Sequence, residues 1–372
     1  MCFRNESYLS FVSGGVSHGR VRCWAMAWIS ALGSAAGRGG GRVGQAAAGQ
    51  WGLLLGGPLL RRQSAAGSGS ERGHVVVEPR TAWFVQGQAA DLGPVTVAYE
   101  RQGAGEPVVL LHGLGSHRLT WDTVMPLLTE QREIIAMDLP GFGESPDLDP
   151  GIPRDLDTAV LWLGSVFAAL GVERPHVVGH SLGGLIALRL GQAGLARSVT
   201  AIAPAGFWTG AERRYTYAMV NAARQGVRLL PDPALQALVR TAPARAVLTG
   251  TLYGRPELCP PHVVVAALRT LRESAAFKAT LRAGRAPGLF TGDIPDVPVT
   301  IAWGTRDRLL PARQAARVRA MIPDARLVPL PDCGHVPMLD APDLVAHAIL
   351  RATDPARQSQ PGPSGTDAGS AI

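Results

Sequence analysis

Lysine is almost missing from this chain: of 36 basic side chains, Lys278 alone is not an arginine. With Ala, Gly and Arg so abundant, this reads as codon bias and carries no functional message. Cysteine is scarce as well. Cys2, Cys23, Cys259 and Cys333 have neither metal-ligand spacing nor the density of a disulfide framework, which fits a reducing compartment and packing roles. No run approaches the ~18 apolar residues of a membrane span. Aromatic residues make up 6% of the chain, and none interleave with arginines in a nucleic-acid motif. The net charge of +7 is therefore not read as a nucleic-acid footprint, and dividing it along the chain shows why. Residues 1–74 hold 8 basic and 2 acidic side chains, residues 207–295 hold 12 and 5, and the remainder holds 16 and 22. The charge is segregated. Arg213, Arg214, Arg269 and Arg272 either line an entrance for carboxylate-bearing substrates or are solvated helix faces.

What is present begins late. The first 74 residues are rich in Gly, Ala, Ser and Arg and have no sustained helical or strand period, so a disordered extension or an over-long reading of the gene is expected there. Arg20 to Ala36 has the charge, apolar run and small residues of a weak signal peptide, while Met26 is a candidate start codon. The over-long reading implies a cytoplasmic protein. Secretion is the alternative if residues 20–36 act as a signal. A disordered tail is expected from Arg351 to Ile372.

From about residue 81, continuous apolar runs alternate with helix-length amphipathic stretches: VTVAYERQG, VVLLHG, EIIAMDLPG, a helix near Leu156 to Leu170, HVVGHS, a helix from Leu182, then SVTAIAPAG. This rhythm specifies an α/β fold with a mostly parallel, doubly wound sheet covered on both faces. It stops between residues 207 and 295, where Ala-, Leu- and Arg-rich helical stretches form an inserted cap, and resumes at PVTIAWGTRD. The expected division is a core of residues 75–206 and 296–350 around a cap of residues 207–295.

Within VVGHSLGG, Gly179 and Gly183 flank Ser181 so that a strand can reverse sharply into a helix and hold the hydroxyl exposed. A serine is a weak nucleophile unless a base lies within hydrogen-bond reach and a third group fixes that base's tautomer. The residues alone leave several acids near the C-terminal histidine: Asp293, Asp296, Asp307, Asp324 and Asp332.

Five motifs in order, LLHGLG at 110–115, DLPGFGES at 138–145, GHSLGG at 179–184, WGTRDRLLP at 303–311 and CGHVPMLDAP at 333–342, resemble those of the capped α/β-hydrolases over residues 81–350. The resemblance implies Ser181 as nucleophile, His335 as base and Asp307 as its orienter, with backbone N–H groups of Leu114 and Leu182 as the oxyanion hole. It also implies that His112 and His180 support loops. Phe207 and Trp208 at the cap entrance are candidates either to line an acyl pocket or to pack in the core, whereas Trp121 and Trp303 are expected in the core.

A serine at the elbow argues against the family's epoxide hydrolases and haloalkane dehalogenases, which need a carboxylate there. The resemblance points to hydrolysis of small or medium carboxylic esters, with no cofactor, no metal and a small-molecule ester as the partner. Carbon-carbon bond hydrolysis of ring-cleavage products is the runner-up, disfavoured by His180 and Val336 where those enzymes tend to carry asparagine and tryptophan. A noncatalytic binding module on the same fold is the reading from another class. Oligomeric state is left open.

Overall fold

Eight strands form one sheet in the order β1-β2-β4-β3-β5-β6-β7-β8. They are β1 (Trp83–Gly87), β2 (Val95–Gln102), β3 (Pro107–Leu111), β4 (Glu133–Met137), β5 (His176–His180), β6 (Ser198–Ile202), β7 (Val299–Gly304) and β8 (Arg326–Leu330). The computed structural model describes residues 82–89, 92–286 and 288–354. The expected extension through residue 74 and the chain past Asp354 lie outside the described residues. β2 runs antiparallel to both β1 and β4, and every other pair is parallel.

Central parallel strands covered on both faces must be apolar throughout, and β5, β6 and β7 are buried along their whole length. Their period of two then feeds two separate layers. Val109, Leu111, Ile135, Met137 and Val177 face helices Leu156–Ala169 and Leu182–Gln192 through Trp162, Leu163, Leu185 and Leu188. Val108, Leu110, Ile134, Ala136 and Val178 face the other way, onto Trp121, Met125, Val345 and Ile349. Trp121 and Trp303 are core residues, as expected.

The last covering helix, Pro342–Ala352, overruns the expected tail boundary at Arg351. Its apolar stripe of Val345, Ile349 and Ala352 continues at helical spacing, and Ala352 is buried. The fold therefore includes Arg351 and Ala352.

Between β6 and β7 the chain leaves the sheet for five helices, Gly210–Arg228, Asp232–Leu238, Ala242–Thr249, Pro261–Glu273 and Phe277–Ala283. The first starts with a capping box: Thr209 accepts from the Glu212 N–H and Glu212 reaches back to the Thr209 N–H. Val227, Leu235, Val239, Leu248, Val264 and Leu268 give the cap its own small core. Val336 and Leu339, which follow the C-terminal histidine, pack against it. Ion pairs cross the boundary with both polarities: Glu212 of the cap holds Arg313 and Arg317, and Arg255 of the cap holds Asp332 at 2.9 Å. Among the described residues, no helix is long and apolar enough to cross a membrane.

Candidate active site

The sheet order reverses direction between β3 and β5, and loops leaving the carboxyl ends of two such strands diverge to open a crevice. Leu111 pairs with Gly179 across that junction, so the chain after β3 and the chain after β5 emerge side by side. The first carries His112 to Gly115 and the second carries Ser181.

Ser181 adopts φ 54° and ψ −110°, a region that costs a non-glycine residue about 1–3 kcal/mol. Three backbone hydrogen bonds hold it there. Its N–H donates to Ile202 at 2.9 Å, and its carbonyl accepts from Leu185 at 3.1 Å and Ala205 at 3.0 Å. Gly179 and Gly183 are obligatory: a Cβ on Gly179 would collide with the Gly183 carbonyl, and one on Gly183 would lie 2.6 Å from the His112 carbonyl oxygen. Only glycines let the strand, the turn and the helix Leu182–Gln192 approach so closely. Leu182 opens that helix, where the first N–H groups have no intrahelical acceptor. The HGLG loop faces the elbow, since a Cβ on Gly113 would lie 3.2 Å from Ser181 Cβ.

The candidate acid and base follow the last two strands of the sheet. Asp307 follows β7 and His335 follows β8, both buried. His335 Nδ1 donates to Asp307 Oδ2 at 2.8 Å, while Asp307 Oδ1 accepts from the backbone N–H groups of Leu309 and Leu310 at 2.9 and 2.8 Å. The carboxylate is thereby fixed in orientation, and the imidazole is left with Nε2 as its acceptor. Of the alternative acids, Asp332 is turned outward onto Arg255 and Arg306.

His112 and His180 support loops. Leu139 donates its N–H to His112 Nε2 at 2.9 Å, which places the proton on Nδ1, and Nδ1 donates to the Gly113 carbonyl at 2.8 Å. Burial pushes the His112 imidazole down to about 4, so the ring is neutral near pH 7. His180 is held well below the ordinary histidine range, chiefly by burial and then by the neighbouring His335.

Of the two aromatic residues where the chain leaves the sheet, Phe207 packs in the main core against Phe290, with ring centroids 5.5 Å apart. Trp208 is half-buried and meets the edge of Tyr217 at 5.9 Å. The cap residues that reach the HGLG loop are Leu271 and Phe277, which a Cβ on Gly115 would meet at 2.7 and 3.3 Å. Sequence reasoning did not single them out, because helical periodicity shows which face is apolar but not what it covers. Arg269 and Arg272 both bind Asp232, at 2.6 and 2.7 Å, and so join two cap helices.

A second group missed from sequence anchors the HGLG loop. Arg118, fully enclosed, donates to Asp138 at 2.5 Å, Glu100 at 3.2 Å and Glu144 at 2.7 Å. Its own N–H reaches the other Asp138 oxygen at 2.6 Å, which ties the loop after β3 to the DLPGFGES turn after β4. Among the described residues, no group of three or more His, Cys, Asp or Glu is arranged to hold a metal ion.

The model of the alpha/beta hydrolase family matches residues 108–348. The dihydrolipoyllysine-residue acetyltransferase component of the acetoin cleaving system of Pseudomonas putida is 30% identical over 280 residues, spanning 71% of this chain and 68% of that protein. The pimeloyl-[acyl-carrier protein] methyl ester esterase of Aeromonas hydrophila subsp. hydrophila is 38% identical over 96 residues, 26% of this chain and 36% of that protein. Among solved structures, the meta-cleavage product hydrolase of Pseudomonas fluorescens IP01 superposes with a TM-score of 0.55 at 20% identity, covering 72% of this chain and 97% of the other. At that identity the likeness speaks for the fold alone.

Proposed function

Because this chain belongs to the alpha/beta hydrolase family, we propose that it is a serine hydrolase of carboxylic esters with small or medium acyl groups, working through an acyl-enzyme on Ser181. Ser181 Oγ adds to the ester carbonyl as its proton passes to His335 Nε2. Asp307 holds the opposite ring N–H and stabilises the imidazolium. The oxyanion is met by the backbone N–H groups of Leu182 and Leu114. Collapse expels the alcohol, which takes its proton from His335, and a water molecule repeats the sequence to release the acid.

The observation that carries this reading is the buried Asp307–His335 hydrogen bond, its carboxylate pinned by two further N–H groups, on the same sheet edge as a strained serine. A pure binding module has no use for such an arrangement. The partial match to a methyl ester esterase supports ester chemistry.

The test pairs a fluorophosphonate probe with nitrophenyl esters graded by chain length and one ring-cleavage dienoate. Labelling of Ser181 and turnover of short to medium esters are expected. No labelling of the wild-type chain overturns the serine mechanism, and preference for the dienoate overturns the ester assignment.

A further inference from the structure

The His335 loop is gripped from two sides, and one jaw belongs to the cap. On the sheet side, Arg306 donates its N–H to the Cys333 carbonyl at 2.8 Å. On the cap side, Leu252 accepts from the Val336 N–H at 2.9 Å. Between them stands Asp340, five residues after His335. Its Oδ2 accepts from Gly334 of the loop at 2.7 Å and from Gly254 of the cap at 2.9 Å. A single carboxylate oxygen thus joins the residue before His335 to the cap segment, while the residue after His335 is bonded to that same segment.

The two backbones touch. A Cβ on Gly334 would lie 2.5 Å from the Tyr253 carbonyl carbon, and one on Gly254 would collide with the Asp332 carbonyl oxygen. Among the described residues, Asp340 alone bridges these two N–H groups and so ties the His335 loop to the cap segment Leu252 to Gly254.

We propose that Asp340 is a positioning residue that sets His335 by clamping Gly334 of its loop to Gly254 of the cap through one shared oxygen. The proposal rests on the reading of His335 as general base. What it requires of Asp340 is an acceptor at that point and not a negative charge. A carboxamide oxygen supplies the acceptor, whereas a methyl group does not. A cavity of about 310 Å³ bordered by Tyr253, Cys333 and Asp340 lies beside the clamp, so water can reach the N–H groups when the carboxylate is removed.

Steady-state hydrolysis of a nitrophenyl ester by the full chain, with fluorophosphonate labelling alongside, tests this. Asp340→Ala should lower kcat by about 10²-fold, the scale of a 1 Å misplacement of a catalytic group, with KM within about twofold. Asp340→Asn should stay within about fivefold of wild type. Gly254→Ala, which keeps the carboxylate but forces the cap segment off the loop, should lose kcat as Asp340→Ala does. A folded Asp340→Asn chain that falls about 10²-fold below wild type in kcat would show that charge is what matters and overturn the clamp, whether or not the alanine variant folds. Wild-type kcat in Asp340→Ala overturns it too. A wild-type chain that is never labelled instead defeats the serine reading itself, so the two failures are distinguishable.

Discussion

His180 and His335 stand with ring centroids 4.8 Å apart and planes tilted by 52°, and the Nε2–H of His180 donates to the His335 carbonyl at 2.7 Å. The residue beside Ser181 thus supports the backbone of His335, the base of the proposed mechanism. His180→Ala is expected to lower kcat/KM by about tenfold through this lost support, and His180→Gln, which keeps an N–H donor, by less. A loss in His180→Ala as deep as in His335→Ala would mean that His180 itself takes part in the proton transfer.

Replacement of Ser181 or His335 by alanine should each reduce turnover by about 10⁴-fold or more, and the double variant should be no worse, because the two act as one unit. Asp307→Asn should be less severe, since the base still acts when poorly oriented. Asp332→Asn should leave kcat within about threefold, because the Asp332 carboxylate faces Arg255 and Arg306. A silent Asp307→Asn beside a damaging Asp332→Asn would reassign the acid.

Acid should weaken the fold through His112. The unfolded chain takes up a proton near the ordinary value of 6.5, which the buried ring refuses until about 4. Stability is therefore full above pH 6.5 and falls across that window by up to about 3 kcal/mol from this one group. Urea midpoints between pH 7.5 and 4.5 should slope less steeply in His112→Asn than in wild type. Parallel slopes would mean that His112 takes up its proton in the fold as readily as in the unfolded chain.

Arg118→Met should destabilise the protein by about 3–5 kcal/mol, because it removes the guanidinium paired with the fully buried Asp138. Thermal unfolding measures this, and adding Asp138→Asn should recover part of the loss. A neutral single variant would show that the buried carboxylates take up protons without consequence.

Much of the architecture follows from the chain itself. The apolar runs at β3, β5, β6 and β7 admit only a parallel sheet covered on both faces. Gly179 and Gly183 mark the elbow because no other residue survives those close approaches, a local constraint that spacing reveals. Contacts between segments distant in sequence were decided only in three dimensions. Asp307 and Asp332 each follow a strand, and it is the turn geometry after β7 and β8 that points one at His335 and the other at arginines. Phe207 and Phe277 are equally apolar as letters and both are buried, yet one packs against Phe290 and the other against the HGLG loop. The cap arginines give a net charge on paper, but Asp232 binds Arg269 and Arg272 once the cap helices pack. Arg118 and Asp340 are lone charged letters in the sequence, and the groups they hold lie on segments that meet only because the sheet and the cap bring them together. Hydrophobic period and glycine spacing are local and survive in one dimension; pairing of charges and donors depends on through-space distance, which the completed fold alone sets.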